Sequence, residues 1–186
     1  VEVDLSRRDF TINAMALEVT GGSPRLIDPY GGLADLASGR LRTPLDAHAS
    51  FSDDPLRMMR AARFIARFGL TPDLSLTQAV SEMNGRLEIV SVERIRDELD
   101  KLLSVGDPSP GLWFVVDTGL AEHFLPELPA MRVEQDPVHR HKDVLTHTIA
   151  VVAKVDPRHL TVRLAALFHD IGKPATRSFA GGGVSF

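Results

Sequence analysis

Between Asp54 and Leu70 the charged positions Arg57, Arg60, Arg63 and Arg67 recur three or four residues apart, and nearly everything between them is apolar: Met58, Met59, Ala61, Ala62, Phe64, Ile65, Ala66 and Phe68. At about 100° per residue the guanidiniums fall within about 120° of arc. The pattern predicts a helix buried over most of its circumference, opened by Asp53-Asp54-Pro55 and stopped at Gly69. Further helical spacing predicts helices near 75–84, 91–104, 109–119 and 121–125, another from Asp143 to Val155, and a last one from Thr161 to Gly172-Lys173-Pro174. The first part of the chain reads differently. Val1-Glu2-Val3-Asp4 alternates like a strand entered midway, and Asp9 to Leu17 mixes both periods, with a helix opened by Asp9 or Thr11 favoured. A short strand is expected at Arg25 to Asp28, a short helix at Gly32 to Ser38 and an extended stretch at Arg40 to Thr43. Strand signals nearly vanish after residue 45. The expected fold class is therefore mainly α, a small α/β part feeding a helical body, with Ala130 to His141 as the best linker.

Composition narrows this picture. A chain of 186 residues with 44% hydrophobic and 25% charged residues can bury a core as one large or two small domains. No apolar run approaches the roughly 18 residues of a membrane span, so no membrane partner is expected. The absence of cysteine excludes disulfides and thiolate metal sites and fits a cytoplasmic location. A net charge of −4 means that nucleic acid would have to be held by a local basic stripe. Neither end reads as a natural terminus: the first residue is not Met, and Gly181-Gly182-Gly183-Val184-Ser185-Phe186 stops as a strand begins. The chain is expected to be an internal piece of a longer one.

The arginine file is the first candidate for chemistry. All its members are Arg, which suits fixed bidentate contacts to phosphate or base edges. Asp54, one turn before Arg57, accepts hydrogen bonds where Arg57 donates them, so the pair could meet a base edge as another base would. Arg60 and Arg63 could hold a triphosphate. The same spacing also fits the solvated face of an amphipathic helix with Asp54 as a plain cap. Arg7-Arg8-Asp9 before Phe10-Thr11-Ile12-Asn13-Ala14 would set a guanidinium beside an anion-favouring helix start, or form a surface turn. Of seven histidines, all but His48 lie after residue 122. His147 on one predicted helix and His169-Asp170 ending the next are a plausible divalent-metal site, or helix-packing histidines without metal; His139 and His141 read as loop residues.

Taken together, these stretches resemble the class II nucleotidyltransferases, the bacterial CCA-adding enzymes and poly(A) polymerases. Arg7 to Ala14 resembles the family's RRDFTINA motif, Ile27-Asp28-Pro29-Tyr30-Gly31-Gly32 its flexible-loop segment, Asp53 to Phe64 its EDxxR template, and Ser91-Val92-Glu93-Arg94-Ile95-Arg96-Asp97-Glu98-Leu99 its neck motif. Asp53 stands where the family usually has Glu. The resemblance implies that Arg8 contacts ribose or phosphates of the incoming nucleotide, and that Asp54 and Arg57 pair with the base of CTP or ATP. Arg60 and Arg63 would bind the triphosphate or set the template, and Asn13 would orient nearby backbone. It also implies a tRNA or other RNA 3′ end as partner and Mg2+ held by a pair of carboxylates upstream of this chain. Glu2 and Asp4 have strand spacing but no Gly-rich loop before them and are not assigned as that pair. Leu145-Thr146-His147-Thr148 and Leu167 to Pro174 resemble the HD phosphohydrolases, which implies a partial metal site at His147, His169 and Asp170. The implied organisation is the end of a nucleotidyltransferase head at 1–48, a helical neck with the template helix at 49–132, and a partial helical HD domain at 133–186. The expected activity is CCA addition to tRNA, which an isolated piece without the metal carboxylates would not perform. A poly(A) polymerase shares nearly all these motifs. An HD-type phosphohydrolase whose arginine helix only binds phosphate, and a non-catalytic RNA-binding module, are the readings from other classes.

Overall fold

The computed structural model describes residues 1–20, 22–133, 143–180 and 183–185, the last two strands as backbone only. The first segment is a helix, α1 (Glu2–Ser6), and not the strand expected from Val-Glu-Val-Asp. Its acidic first turn, Glu2 and Asp4, suits a helix N-terminus, and Asp4 reaches Arg8 one turn on at 3.4 Å. The helix expected from Asp9 to Leu17 is also replaced. A single 3₁₀ turn, Thr11–Asn13, leads into strand β1 (Ala16–Glu18), which pairs antiparallel with β2 (Arg25–Ile27), Leu17 opposite Leu26. Tertiary contacts decide this: Thr11 N–H donates to the Arg42 carbonyl at 2.9 Å, Thr11 Oγ1 donates to the buried Asp35 at 2.6 Å, and Asn13 Oδ1 accepts from Phe10 N–H. These bonds take the donors and acceptors that a longer helix would have used.

The expected helix α2 (Gly32–Ser38) and the extended β3 (Arg40–Leu41) follow. Gly32 sits where an added Cβ would lie 2.1 Å from the Thr11 carbonyl oxygen, so α2 can approach the 3₁₀ turn only with glycine there. Helix α3 (Ala47–Asp53), which the sequence did not announce, is capped by Asp46 through the Ala49 N–H. Helix α4 (Leu56–Phe68) begins two residues after Asp54 rather than at it. Asp54 is the extended residue between α3 and α4, and Gly69 closes α4 in the left-handed conformation. Strand β4 (Thr71–Pro72) lies parallel to β3, a pairing after residue 45 that the sequence did not suggest.

The rest of the described chain is helical, with α5 (Leu74–Met83), α6 (Val92–Leu103), α7 (Ser109–Asp117), α8 (Glu127–Ala130), α9 (Val144–Lys154), α10 (Leu160–Phe168) and α11 (Lys173–Thr176). The helix expected at 121–125 is a 3₁₀ turn, Leu120–His123. A final hairpin pairs β5 (Ser178–Ala180) with β6 (Gly183–Ser185). Most of the expected linker, with His139 and His141, lies outside the described residues.

Helix α4 is the axis of the core. Met58, Met59, Ala61 and Ala62 have no exposed area, and α6 and α7 pack against it. Burying each methionine is worth about 2 kcal/mol. Gly111 lets α7 close in, because a Cβ there would stand 2.5 Å from the Ala62 carbonyl oxygen. The same core continues without a break through Leu103, Val115 and Met131 to Val144, Ile149, Val152 and Leu167 of the C-terminal helices. Among the described residues no helix is long and apolar enough to cross a membrane.

Candidate nucleotide-template site and metal cluster

The file of arginines on α4 is real, but it is not a solvated face. Arg57, Arg60 and Arg63 are each partly buried and each meets a carboxylate from another segment; Arg67 at the end of the file is exposed. Arg60 donates to Asp9 Oδ2 from Nε at 2.8 Å and from Nη2. Arg57 lies 3.4 Å from the other Asp9 oxygen. Arg63 donates to Glu98 Oε2 at 2.7 Å, and Lys101 donates to its other oxygen at 2.9 Å. Burial pushes the Glu98 carboxyl up, but the hydrogen bonds from Lys101 and Arg63 and their charges outweigh it and hold it below the ordinary glutamate value.

Arg57 also ties three stretches of chain together. Its Nη1 donates to the Ser50 carbonyl at 3.2 Å and to Ser50 Oγ at 2.8 Å, and its Nη2 donates to the Arg7 carbonyl at 2.5 Å. The Arg7-Arg8-Asp9 turn is therefore docked on α4 through a carbonyl and a carboxylate, which leaves the Arg8 side chain half-exposed with, among the described residues, a single long contact to Asp4. Arg57 lines a small cavity of about 50 Å³ with Ser6, Leu45, Asp46 and Asp53, room for little more than water. Asp54, one-third exposed, accepts from Leu56 N–H at 3.3 Å and from Arg94 Nη2 at 3.2 and 3.1 Å.

These bonds can be counted against what each group offers. A carboxylate has about four acceptor positions and a guanidinium five N–H donors. Leu56 and Arg94 take about three on Asp54, leaving about one on Oδ2. Ser50 and Arg7 take about three of the Arg57 donors, and Nε, facing Asp9, finds no aligned acceptor among the described residues. One Nη2 N–H is left over. What the protein leaves unsatisfied on this pair is thus an acceptor on Asp54 and two donors on Arg57, the buried Nε and one Nη2 N–H.

The sequence did not single out Asp9, Glu98 or Arg94 as partners, although Glu98 and Arg94 lie in the neck stretch. Asp35 was missed altogether. It is 1% exposed, accepts from Thr11 and Arg40, and forms an ion pair with Arg42 at 2.7 Å. Burial raises its carboxyl, and the hydrogen bonds from Thr11 and Arg40 with the charges of Arg42 and Arg40 bring it below the ordinary aspartate value.

At the other end of the chain, His147, His169 and Asp170 are brought together, with one ligand atom of each within 4.8 Å of the others. The rings of His147 and His169 stand edge to face, 5.6 Å between centroids. His169 Nδ1 lies 2.7 Å from the Ala166 carbonyl oxygen, which assigns the ring proton to Nδ1. Its Nε2 lies 3.2 Å from Asp170 Oδ2. Two imidazoles and a carboxylate, one imidazole oriented by a carbonyl, suit a borderline divalent cation. Lys173 Nζ now supplies positive charge there, donating to the same Asp170 oxygen at 2.8 Å. Among the described residues Glu2 and Asp4, on α1, join no such cluster.

Residues 1–42 match the family described as the poly A polymerase head domain, and residues 69–131 that described as the probable RNA and SrmB-binding site of polymerase A. Helix α4 lies between the two matched stretches. The chain is 36% identical over 182 residues to a multifunctional CCA protein of Nitrosospira multiformis, covering 95% of this chain and 43% of the relative. It is 37% identical over 187 residues to that of Pseudomonas paraeruginosa, covering 95% and 44%. Its fold is similar to the Bacillus stearothermophilus CCA-adding enzyme in complex with CTP, with TM-score 0.64, 28% identity, and 94% of this chain and 49% of that one covered. A tRNA nucleotidyltransferase complexed with a primer tRNA and an incoming ATP analog is similar at TM-score 0.60 and 27% identity, covering 88% and 54%. The chain spans less than half the length of these curated relatives.

Proposed function

We propose that this chain, which belongs to the poly(A) polymerase and CCA-adding nucleotidyltransferase family, is the nucleotide-selecting part of an enzyme that adds CMP and AMP to tRNA 3′ ends from CTP and ATP. The observation that carries the reading is the acceptor left on Asp54 and the donor left on Arg57. Cytosine offers an amino donor at N4 beside an acceptor at N3, and adenine the same pair at N6 and N1. Uracil and guanine offer the reverse, a carbonyl oxygen beside an N–H. A fixed carboxylate and guanidinium therefore accept the first two and reject the last two, because a mismatched edge leaves buried polar groups unpaired.

The other members of the file take supporting roles. Arg60 and Arg63, engaged by Asp9 and Glu98, hold α4 against the head and the neck and so set the template, while the half-exposed Arg8 is the cation available to ribose or phosphate. The division into a head end at 1–48, a neck at 49–132 and a C-terminal helical part from 133 is consistent with these roles. Mg2+ held by carboxylates outside this chain would activate the attacking 3′-hydroxyl and stabilise the leaving pyrophosphate. Such an enzyme would act on tRNA in the cytoplasm.

The test uses the full-length protein with radiolabelled nucleotides and tRNA lacking its 3′ end. Incorporation of both CTP and ATP is expected; use of ATP alone on any RNA would make it a poly(A) polymerase instead. Arg57→Lys should lose about tenfold or more in kcat/KM for both nucleotides, since a lysine cannot reproduce the planar donor pair. Equal rates for wild type and variant would end the template reading.

The convergence of His147, His169 and Asp170 favours a second, additional site of HD type. Those three would hold a divalent cation, which when bound supplies Lewis-acid polarisation of a phosphoester oxygen. Here Asp170 accepts, and His169 is oriented by Ala166. Loading with Mn2+, Ni2+ or Zn2+ should raise the melting temperature of wild type and leave His169→Ala unmoved; equal shifts in both would rule the site out.

A further inference from the structure

We propose that the cavity between the C-terminal ends of α4 and α6 is a second anion site, which takes a phosphoryl group away from the template pair. It holds about 520 Å³ and is lined by Arg63, Arg67, Asp100, Lys101, Ser104 and the turn at 105–106. Arg67 follows Arg57 by ten residues on α4, about 15 Å along the helix axis, so a group bound here is not the base that meets Asp54. The inference goes beyond the template reading and does not depend on it.

The cations here have more donors than the protein uses. Arg63 spends Nε on one Glu98 oxygen and Lys101 spends one N–H on the other, at 2.7 and 2.9 Å. A guanidinium has five donors and an ammonium three, so about four remain on Arg63 and about two on Lys101. Arg67 is exposed, stands over the Phe68 ring at 5.5 Å and, among the described residues, meets no carboxylate. Three positive charges thus face two negative ones, Glu98 and Asp100, and both Glu98 oxygens are already engaged.

The end of α6 would ordinarily work against an anion, because the last carbonyls of a helix are unpaired and carry negative potential. Here they are occupied. The carbonyls of Leu103, Val105 and Gly106 all accept from Arg163, a guanidinium with no exposed area. The acceptors that would repel an anion are therefore satisfied, and a fourth cation stands behind the turn that forms one wall. Arg163 also does for α6 what a basic residue in the last turn usually does, which leaves the spare donors of Lys101 to a ligand. Paired guanidinium N–H groups match two oxygens of a phosphoryl group, and the ammonium adds a point charge. That group can belong to an RNA backbone or to free phosphate; the chemistry of recognition is the same.

The experiment compares the full-length protein with Arg67→Met, Lys101→Met and, as control, Arg96→Met. Arg96 is exposed on the first half of α6, 3.6 Å from Asp97. One arm measures fluorescence anisotropy of a labelled RNA hairpin, its 3′ end blocked by phosphate, over a range of salt. The other follows thermal unfolding with inorganic phosphate at about 20 mM, ionic strength matched with chloride. If the group is an RNA phosphodiester, Arg67→Met and Lys101→Met each weaken hairpin binding about three- to tenfold and lower the salt slope by about one. If it is free phosphate, the wild-type melting temperature rises by about 2 °C and that of Arg67→Met stays put. Either result supports the site and names the source, and in both Arg96→Met matches wild type. Equal behaviour of wild type and Arg67→Met in both arms overturns the proposal. So does an Arg96→Met variant that loses as much as Arg67→Met, which would mark a diffuse charge effect. Should Lys101→Met fail to fold, the exposed Arg67 decides the matter alone.

Discussion

Two regions of this molecule bury arginines, and they do it by opposite means. On α4, Arg57, Arg60 and Arg63 meet the carboxylates of Asp9 and Glu98, and each keeps a fraction of its side chain in water. At the junction of α6, α9 and α10, Arg163 has no exposed area and, among the described residues, meets no carboxylate. It donates instead to backbone carbonyls: Val155 from Nε at 2.9 Å and Nη2 at 2.8 Å, Gly106 at 2.8 Å, Val105 at 2.5 Å, and Leu103. Those carbonyls follow the C-termini of α6 and α9, where helix dipoles leave unpaired acceptors and negative potential. Burial pulls the Arg163 guanidinium below the ordinary arginine value, against the charges of Asp156 and Asp107. The comparison teaches what each arrangement can do. A partly wet guanidinium held by side chains can exchange a partner for a ligand. One sealed among carbonyls of two helix ends can only hold them together.

The largest effect should therefore come from the sealed arginine. Arg163→Met leaves several carbonyls without a donor and should cost about 3–5 kcal/mol, a fall on the order of 10 °C in melting temperature. Nucleotide selection below the transition should be unchanged. A shift under about 2 °C would show that the two regions do not differ as described.

Glu98→Gln comes next, at about 2 kcal/mol near pH 7, because Arg63 and Lys101 lose a charged partner in a nearly buried position. The pH dependence sharpens this. Glu98 titrates below its ordinary value when folded, so its contribution is present in full above the unfolded glutamate range, about pH 4–5, and is lost as the pH falls through the lower folded value. Urea midpoints taken between pH 7 and pH 3 should fall more steeply for wild type than for Glu98→Gln. Parallel curves would contradict the assignment.

The smallest expected effect on stability is that of Asp9→Asn, about 1 kcal/mol, since Arg57 keeps Ser50 and Arg7 and Arg60 remains partly solvated. Yet the same change should weaken CTP and ATP use measurably, because the Arg7-Arg8-Asp9 turn loses its anchor on α4. An effect on stability without one on nucleotide use would place this ion pair in the same class as Arg163.

Much of the helical body was legible from spacing alone. The limits of α4 to α7, of α9 and of the start of α10 agree with the apolar periodicity to within about two residues, because long amphipathic segments specify their own buried face. The N-terminal part was not legible. Asp9 to Leu17 carries enough apolar residues for a helix, and the 3₁₀ turn and β1 form because Asp35, Arg42 and the second strand, all distant in sequence, take up its hydrogen-bonding groups. Arg163, alone and charged in the run Leu-Thr-Val-Arg-Leu-Ala-Ala-Leu-Phe, did carry a signal, since a single cation on an apolar helix must find a buried partner.

The amino-acid sequence by itself determined which residues stand on one side of α4 and which histidines and carboxylates lie a helix apart, since periodicity follows from local geometry. Only the tertiary structure decided which partners those charges have: Asp9 for Arg60, Glu98 for Arg63, Arg94 for Asp54. A hydrogen bond is directional and reaches about 3 Å, so its partner is chosen by how distant segments pack and not by any pattern along the chain.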